Sequence, residues 1–179
     1  MTRMFWGLFP VERAAALMYY EPHAELAQIV YRMKYNNRPD IGEDLGRVMA
    51  VEMQYGRFFD GIDLLIPVPL SPKRLRQRGY NQSTQLAMGI RQLTGIPLAD
   101  GILKRKHFHK SQTQLSRQER QENVSDIFYV KHPERLEGKH ILLIDDICTT
   151  GATLTACANQ MKEIPGIKIS ILTLGITSK

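Results

Sequence analysis

Cysteine is nearly missing from this sequence: Cys148 and Cys157 are the only two in 179 residues. A disulfide-held secreted scaffold needs more, and no Cys-x-x-Cys pair is present to start a zinc module. Long apolar runs are missing too. No stretch approaches the roughly 20 apolar residues that a membrane-crossing helix requires. The apolar opening, with Phe5, Trp6, Leu8 and Phe9, is short and lacks the cleavage signature of a secretory signal. These absences make the cytoplasm the expected compartment and argue against membrane insertion. There is no internal repeat and no low-complexity tract, which excludes solenoids and long disordered tails. Acidic residues are the minority: 18 Asp and Glu stand against 24 Lys and Arg, for a formal charge of +6. That balance suits an anionic partner such as a polyphosphate or a nucleic acid, although a value this modest is also ordinary solubility charge.

What is present reads as one compact domain. Residues 1–13 are an apolar arm, and 15–20 form a candidate strand. Residues 24–35 carry Leu26, Ile29, Val30 and Met33 at helical spacing, and a second helix is expected over 41–58. Residues 63–68 read as a buried strand closed by Pro67 and Pro69. A basic loop follows, with Lys73, Arg74, Arg76 and Arg78, and then a helix over 81–94. A strand near 102–106 leads into a polar, basic loop over 106–115. Ser116 to Glu119 forms a capping box for a short helix ending near 123. A strand at 127–130, a helix over 153–163 and a last strand at 168–177 complete the chain. Strands and helices alternate from Asp63 onward, which predicts an α/β fold with a doubly wound parallel sheet. The expected organisation is an N-terminal arm and small helical hood, residues 1–60, packed on a core, residues 61–179.

The chemistry concentrates in one stretch. Ile141, Leu142, Leu143 and Ile144 form a short unbroken apolar run, the pattern of a strand buried on both faces. Asp145 and Asp146 follow, then Thr149, Thr150, Gly151, Ala152 and Thr153, then a helix. A strand that turns through small residues into a helix offers backbone N–H groups, Thr hydroxyls and a helix dipole to a phosphate. Gly151 lets the backbone approach the anion closely. Two carboxylates beside that seat would repel a bare phosphate. They suit a ligand that also carries hydroxyls or a divalent cation. A sugar phosphate, with a metal, meets these requirements.

The run Leu-Ile-Asp-Asp-Ile-Cys-Thr-Thr-Gly-Ala-Thr resembles the phosphoribosyl pyrophosphate (PRPP) motif of type I phosphoribosyltransferases. The Pro-Val-Pro-Leu-Ser-Pro-Lys-Arg stretch with Arg-Gly-Tyr-Asn-Gln behind it is similar to the ComF subgroup, which is amidophosphoribosyltransferase-like and associated with DNA uptake in competence. So is the segment holding Gln112, Leu115, Arg117, Arg120 and Asn123. The resemblance implies that Asp145 and Asp146 engage the ribose hydroxyls, with Mg²⁺ held there indirectly. It implies that Thr149, Thr150, Gly151, Ala152 and Thr153 hold the 5′-phosphate. Lys73 and Arg74 are the candidate charges of a pyrophosphate loop. Arg105, Lys106 or Lys110 could reach the ligand from a closing flap. Cations aimed at the departing diphosphate would stabilise the transition state, where charge gathers.

Two departures matter. Thr149 stands where purine-salvage relatives carry an acid, which argues against a 6-oxopurine acceptor. The cysteine-rich zinc segment that precedes many ComF cores has no counterpart here. Cys148 and Cys157 read as small structural residues, and His107 and His109 as loop histidines. The implied activity is transfer of a phosphoribosyl group from PRPP to an unknown base or amine, with release of pyrophosphate. The alternative is a non-catalytic module on the same fold that senses PRPP or holds single-stranded DNA, with Tyr80 and Phe108 stacking on bases. A generic nucleotide-binding α/β protein is the third reading. The competence machinery and a homodimer complete the expected partners.

Overall fold

The computed structural model describes residues 1–21, 24–106 and 127–177. Four strands form a parallel sheet in the order β1–β6–β5–β2: β1 Ala14–Tyr19, β2 Leu64–Pro67, β5 His140–Cys148 and β6 Lys168–Ile176. Two short strands, β3 Leu103–Arg105 and β4 Phe128–Val130, pair antiparallel outside it. The helices are α1 Glu25–Tyr35, α2 Pro39–Gln54, α3 Pro72–Arg78, α4 Gln82–Thr94 and α5 Ala152–Asn159.

β5 explains its own composition. Ile141 and Leu143 point into a core with Phe5, Phe128, Leu154, Cys157 and Met161. Leu142 and Ile144 point the other way, into a core with Met33, Met49, Leu86 and Ile90. A strand covered on both faces needs no polar alternation, so the apolar run is continuous. β5 is longer than its apolar run suggests. Asp145 and Asp146 were expected beyond the strand, yet pairing with β6 continues through Asp145, opposite Thr173, to Cys148, opposite Ile176. Extended backbone therefore holds both carboxylates rigidly.

β1 is one of the two edge strands of this same sheet, with Ala14 opposite Ile171 and Tyr19 opposite Ile176. The first sixty residues thus add a strand to the sheet as well as two covering helices. The apolar arm packs onto the core through Phe5 and Phe9, both buried.

α2 and α4 cross at glycines. A Cβ on Gly46 would strike the Leu86 carbonyl, and one on Gly89 would strike the Glu43 carbonyl. Side chains at these positions would hold the helices apart, so glycine here sets how closely α4 lies to its neighbours.

The basic loop after β2 is a short helix, where an irregular loop was expected. Ser71 caps α3, its hydroxyl accepting the Arg74 N–H at 3.3 Å, Pro72 opens it, and Gly79 closes it at φ 79°. Ser-Pro before and Gly after are the usual punctuation of a helix. The expected helix over 41–58 starts at Pro39 and stops at Gln54, and the one over 153–163 stops at Asn159. The expected capping-box helix lies outside the described residues.

Candidate phosphoribosyl site

β5 and β2 both end at the same edge of the sheet, and the candidate residues collect there. Asp145 is the buried member of the acid pair. Its Oδ1 accepts the Ser83 hydroxyl at 3.0 Å and the Asp146 N–H at 2.9 Å. Burial pushes its carboxyl up to about 7, the neighbouring Asp146 charge pushes the same way, and the Asp146 N–H, Ser83 and Lys34 oppose them. Its carboxyl therefore keeps a proton to higher pH than an ordinary aspartate does.

Asp146 is more accessible and fully engaged. Its Oδ1 accepts the Ile147 N–H at 2.6 Å, and its Oδ2 meets Lys34 Nζ at 2.8 Å. The Lys34 side chain retains 20% of its exposure and that of Asp146 16%. Lys34 lies on the last turn of α1, far from Asp146 in sequence. Its neighbour Met33 offers its carbonyl to the Tyr80 hydroxyl, which clasps the end of α1 to the end of α3. Tyr80 is therefore a buried structural residue, and the expectation that it stacks on bases is wrong. Its hydroxyl is committed and burial raises its pKa.

The loop Thr149–Thr150–Gly151 joins β5 to α5. Gly151 sits at φ 77° as the α5 cap, a left-handed conformation that suits glycine. A Cβ on it would press on the Phe5 ring at 3.0 Å and the Met4 sulfur at 3.1 Å. The N-terminal arm thus backs the loop. Thr149, Thr150, Ala152 and Thr153 are exposed. The Thr150 hydroxyl accepts the Ala152 N–H at 3.4 Å. With Asp145, Ile147, Cys148 and Leu154 they line a recess of about 30 Å³. Cys148 packs against Met4, its thiol pushed up by burial and by Asp145. That is the environment of a structural thiol, as the sequence suggested.

Asn81 ties the second loop to this edge. Its amide donates to the Val68 carbonyl at 3.0 Å while its oxygen caps α4 through the Ser83 N–H at 3.3 Å. One residue thereby fixes the exit of β2 and the start of the helix that carries Ser83.

Two cavities flank α3. One, of about 620 Å³, is lined by Pro69, Leu70, Asn81, Thr84, Arg76 and Arg105, among others. The other, of about 270 Å³, is lined by Lys34, Tyr35, Asn37, Arg76, Gln77, Arg78 and Gly79. Lys73 and Arg74 stand exposed on α3 and line neither, whereas Arg76 lines both. Arg105 is half-buried over the Phe128 ring at 5.4 Å, and burial together with the Arg74 charge lowers its pKa. Lys110, Phe108, His107, His109, Arg117, Arg120 and Asn123 lie outside the described residues.

The sequence reading missed Lys34, Ser83 and Asn81. Asn-Gln-Ser after Gly-Tyr did mark a helix start, but nothing local says that this helix begins beside Asp145.

A family profile described as the phosphoribosyl transferase domain matches residues 79–174. The DNA utilization protein YhgH of Shigella flexneri is 28% identical over 155 residues, covering 85% of this chain and 66% of that protein. Competence protein F of Haemophilus influenzae is 28% identical over 150 residues, 82% of this chain and 64% of that protein. The competence protein ComFC of Bacillus subtilis is 33% identical over 100 residues, 56% of this chain and 38% of that protein. The chain thus spans about two thirds of the length of the first two relatives. Among solved structures, the glutamine PRPP amidotransferase of B. subtilis, complexed with ADP and GMP, superposes at a TM-score of 0.53 with 22% identity, over 78% of this chain and 30% of that one. That likeness shows the fold. The acid pair, the threonine–glycine loop and the parallel sheet carrying them therefore have one common explanation: the chain belongs to the phosphoribosyl transferase domain family.

Proposed function

We propose that this protein binds PRPP with Mg²⁺ and transfers its phosphoribosyl group to a nitrogenous acceptor. The observation that carries this reading is the join at the end of β5. A half-buried acid pair runs into a loop of small residues at a helix start, with Ser83 and Lys34 contacting the carboxylates. Vicinal ribose hydroxyls donate to Asp145 and Asp146. The 5′-phosphate sits on the loop from Thr149 to Thr153.

Asp145 and Asp146 also fit Mg²⁺, which binds through one or two carboxylates together with ligand phosphates. Among the described residues no cluster of three or more acidic, His or Cys side chains forms a cage. The donor set therefore fits a cation that arrives with the ligand and stays indirectly held. It would neutralise diphosphate charge. The protein's own part is orientation and cationic stabilisation. As the bond between C1 and the diphosphate oxygen breaks, its electron pair leaves on that oxygen. The acceptor nitrogen bonds to C1 and gives up a proton. Arg105, Arg74 and Lys73 supply positive charge on the departing side.

The test is pyrophosphate release from PRPP across a panel of bases and amines. The expected result is release with at least one acceptor, falling at least a hundredfold in Asp145→Ala/Asp146→Ala. Release unchanged in that variant would contradict the assignment.

A second reading, single-stranded DNA binding, is favoured by one feature. Tyr31 and Tyr35 pack at a tilt of 40° with centroids 4.7 Å apart, each 60% exposed, and Arg78 lies 5.3 Å from the Tyr35 ring. Exposed aromatics beside cations suit unpaired bases. This reading requires affinity that falls with salt at a log–log slope of roughly −0.7 per phosphate contacted.

A further inference from the structure

The start of the chain is the floor of the loop from Thr149 to Thr153. Thr2–Phe5 form one turn of 3-10 helix. Phe5 is fully buried, its ring 5.5 Å from that of Phe9. Met4 is half-buried and packs on the same core as Leu154 and Cys157. Its sulfur accepts the Cys148 thiol at 3.6 Å. Burial and Asp145 both raise the pKa of that thiol, so it stays a donor. Met1 makes a second contact at this edge. Its sulfur lies 3.9 Å from the hydroxyl of Thr173, the register partner of Asp145. The arm thus meets β6 beside the acid pair and β5 at the loop. At Gly151 the fit is tight, since a methyl there would lie 3.1 Å from the Met4 sulfur. An unbranched, polarizable thioether suits such an irregular gap.

We propose that Met4 is a positioning residue of the phosphoribosyl site and that its sulfur is a modification site: the sulfoxide lifts the arm from the loop and releases the ligand. This rests on the phosphate reading of Thr149 to Thr153. The co-reactant is a hydroperoxide. Its O–O bond breaks as an S–O bond forms, and the sulfur is oxidised by two electrons. The proton of the transferred oxygen passes to the departing oxygen, which leaves as water or an alcohol. The new oxygen is polar and has no room toward Gly151. The Cys148 thiol is a weak donor and cannot replace the water that a sulfoxide holds. The oxidised side chain therefore turns to solvent and takes the first turn of the arm with it. Gly151 loses its backing, and the loop loses the fixed geometry that an anion needs. Arm and ligand are linked reciprocally: a ligand that needs the seated arm holds Met4 in place.

The test treats the full chain with hydrogen peroxide and then with a thiol reductant, which reverses cysteine sulfenic acid and disulfides. Measurements are made well below the thermal midpoint of every variant. In the ligand-free protein, amide exchange over residues 148–156 should quicken at least tenfold after oxidation and recover with methionine sulfoxide reductase. PRPP affinity, read by calorimetry with Mg²⁺, should fall at least tenfold and recover in the same way. Met4→Leu keeps the floor apolar, so it should lose less affinity than Met4→Gln and show no response to peroxide. Bound PRPP should slow sulfoxide formation at Met4 severalfold, read by mass spectrometry, and leave the exposed Met88 unaffected. An equal peroxide response in Met4→Leu assigns the effect to another residue and overturns the proposal. So does loop exchange that oxidation leaves unchanged. PRPP binding that depends on Asp145 and Asp146 but ignores Met4 oxidation overturns the proposal and leaves the PRPP reading standing. If untreated wild type binds no PRPP, that reading fails and the release of ligand fails with it, while the exchange rates still decide whether Met4 holds the loop.

Discussion

Asp145 carries a charge that burial opposes. A carboxyl whose folded pKa is raised binds protons that the unfolded chain has already released. The unfolded aspartate ionises near 3.9, and the folded one holds its proton up to about 7. Across that window the folded state binds more protons, so stability falls as pH rises from about 4 to about 7 and stays lower above it. Asp145→Asn removes the burden. Its thermal midpoint, measured without ligand at pH 8, should exceed wild type by several degrees, and the gain should shrink toward pH 4. His140 runs the opposite way. Burial and the Arg13 charge lower its pKa from 6.5, while its ring nitrogen lies 2.8 Å from the Ser170 hydroxyl. Its share of stability is complete above pH 6.5 and is lost as pH falls through the lowered value. Replacing it with glutamine should flatten the acid side of the stability profile and leave the Asp145 slope intact. A half-buried carboxyl that costs stability is what a site kept for a ligand, rather than for stability, should show.

At the scale of elements, the glycine crossing of α2 and α4 has a testable sign. Helix propensity alone makes Gly→Ala stabilising by about 1 kcal/mol. At Gly89 a methyl meets the Glu43 carbonyl, so Gly89→Ala should lower the thermal midpoint instead. It should also weaken any ligand that depends on Asp145, because α4 carries Ser83. Differential scanning fluorimetry and PRPP titration of the same variant read both effects.

The crossing also shows which parts of the fold the residues betray. β5 and the acid pair were legible, because a strand buried on both faces has to be continuously apolar and the loop after it has to be small. α1 and α4 were legible from their apolar spacing. The charge of α3 does not mark it as helix, whereas its Ser-Pro opening and Gly close do. Asp145 and Asp146 were expected outside the strand because hydrophobicity ends at Ile144, whereas pairing with β6 runs on to Cys148. The Lys34–Asp146 and Ser83–Asp145 contacts join separate elements, and no local pattern encodes which helix end meets which strand end.

The whole molecule gathers its parts at one edge of the sheet. β5 brings the acid pair and the loop, β2 the proline exit, α4 a hydroxyl, and α1 and α3 the cations. No described helix is long and apolar enough to cross a membrane. Family membership gives the fold, and one fold hosts many reactions. The direct test of the central claim is the thermal midpoint with and without PRPP and Mg²⁺, beside Asp145→Ala/Asp146→Ala. Ligand at a hundred times its dissociation constant adds about 2.7 kcal/mol, a rise of about 5–11 °C for a domain of this size. The account predicts that rise in wild type and its loss in the double variant. No rise at millimolar PRPP, or an equal rise in both proteins, would contradict it.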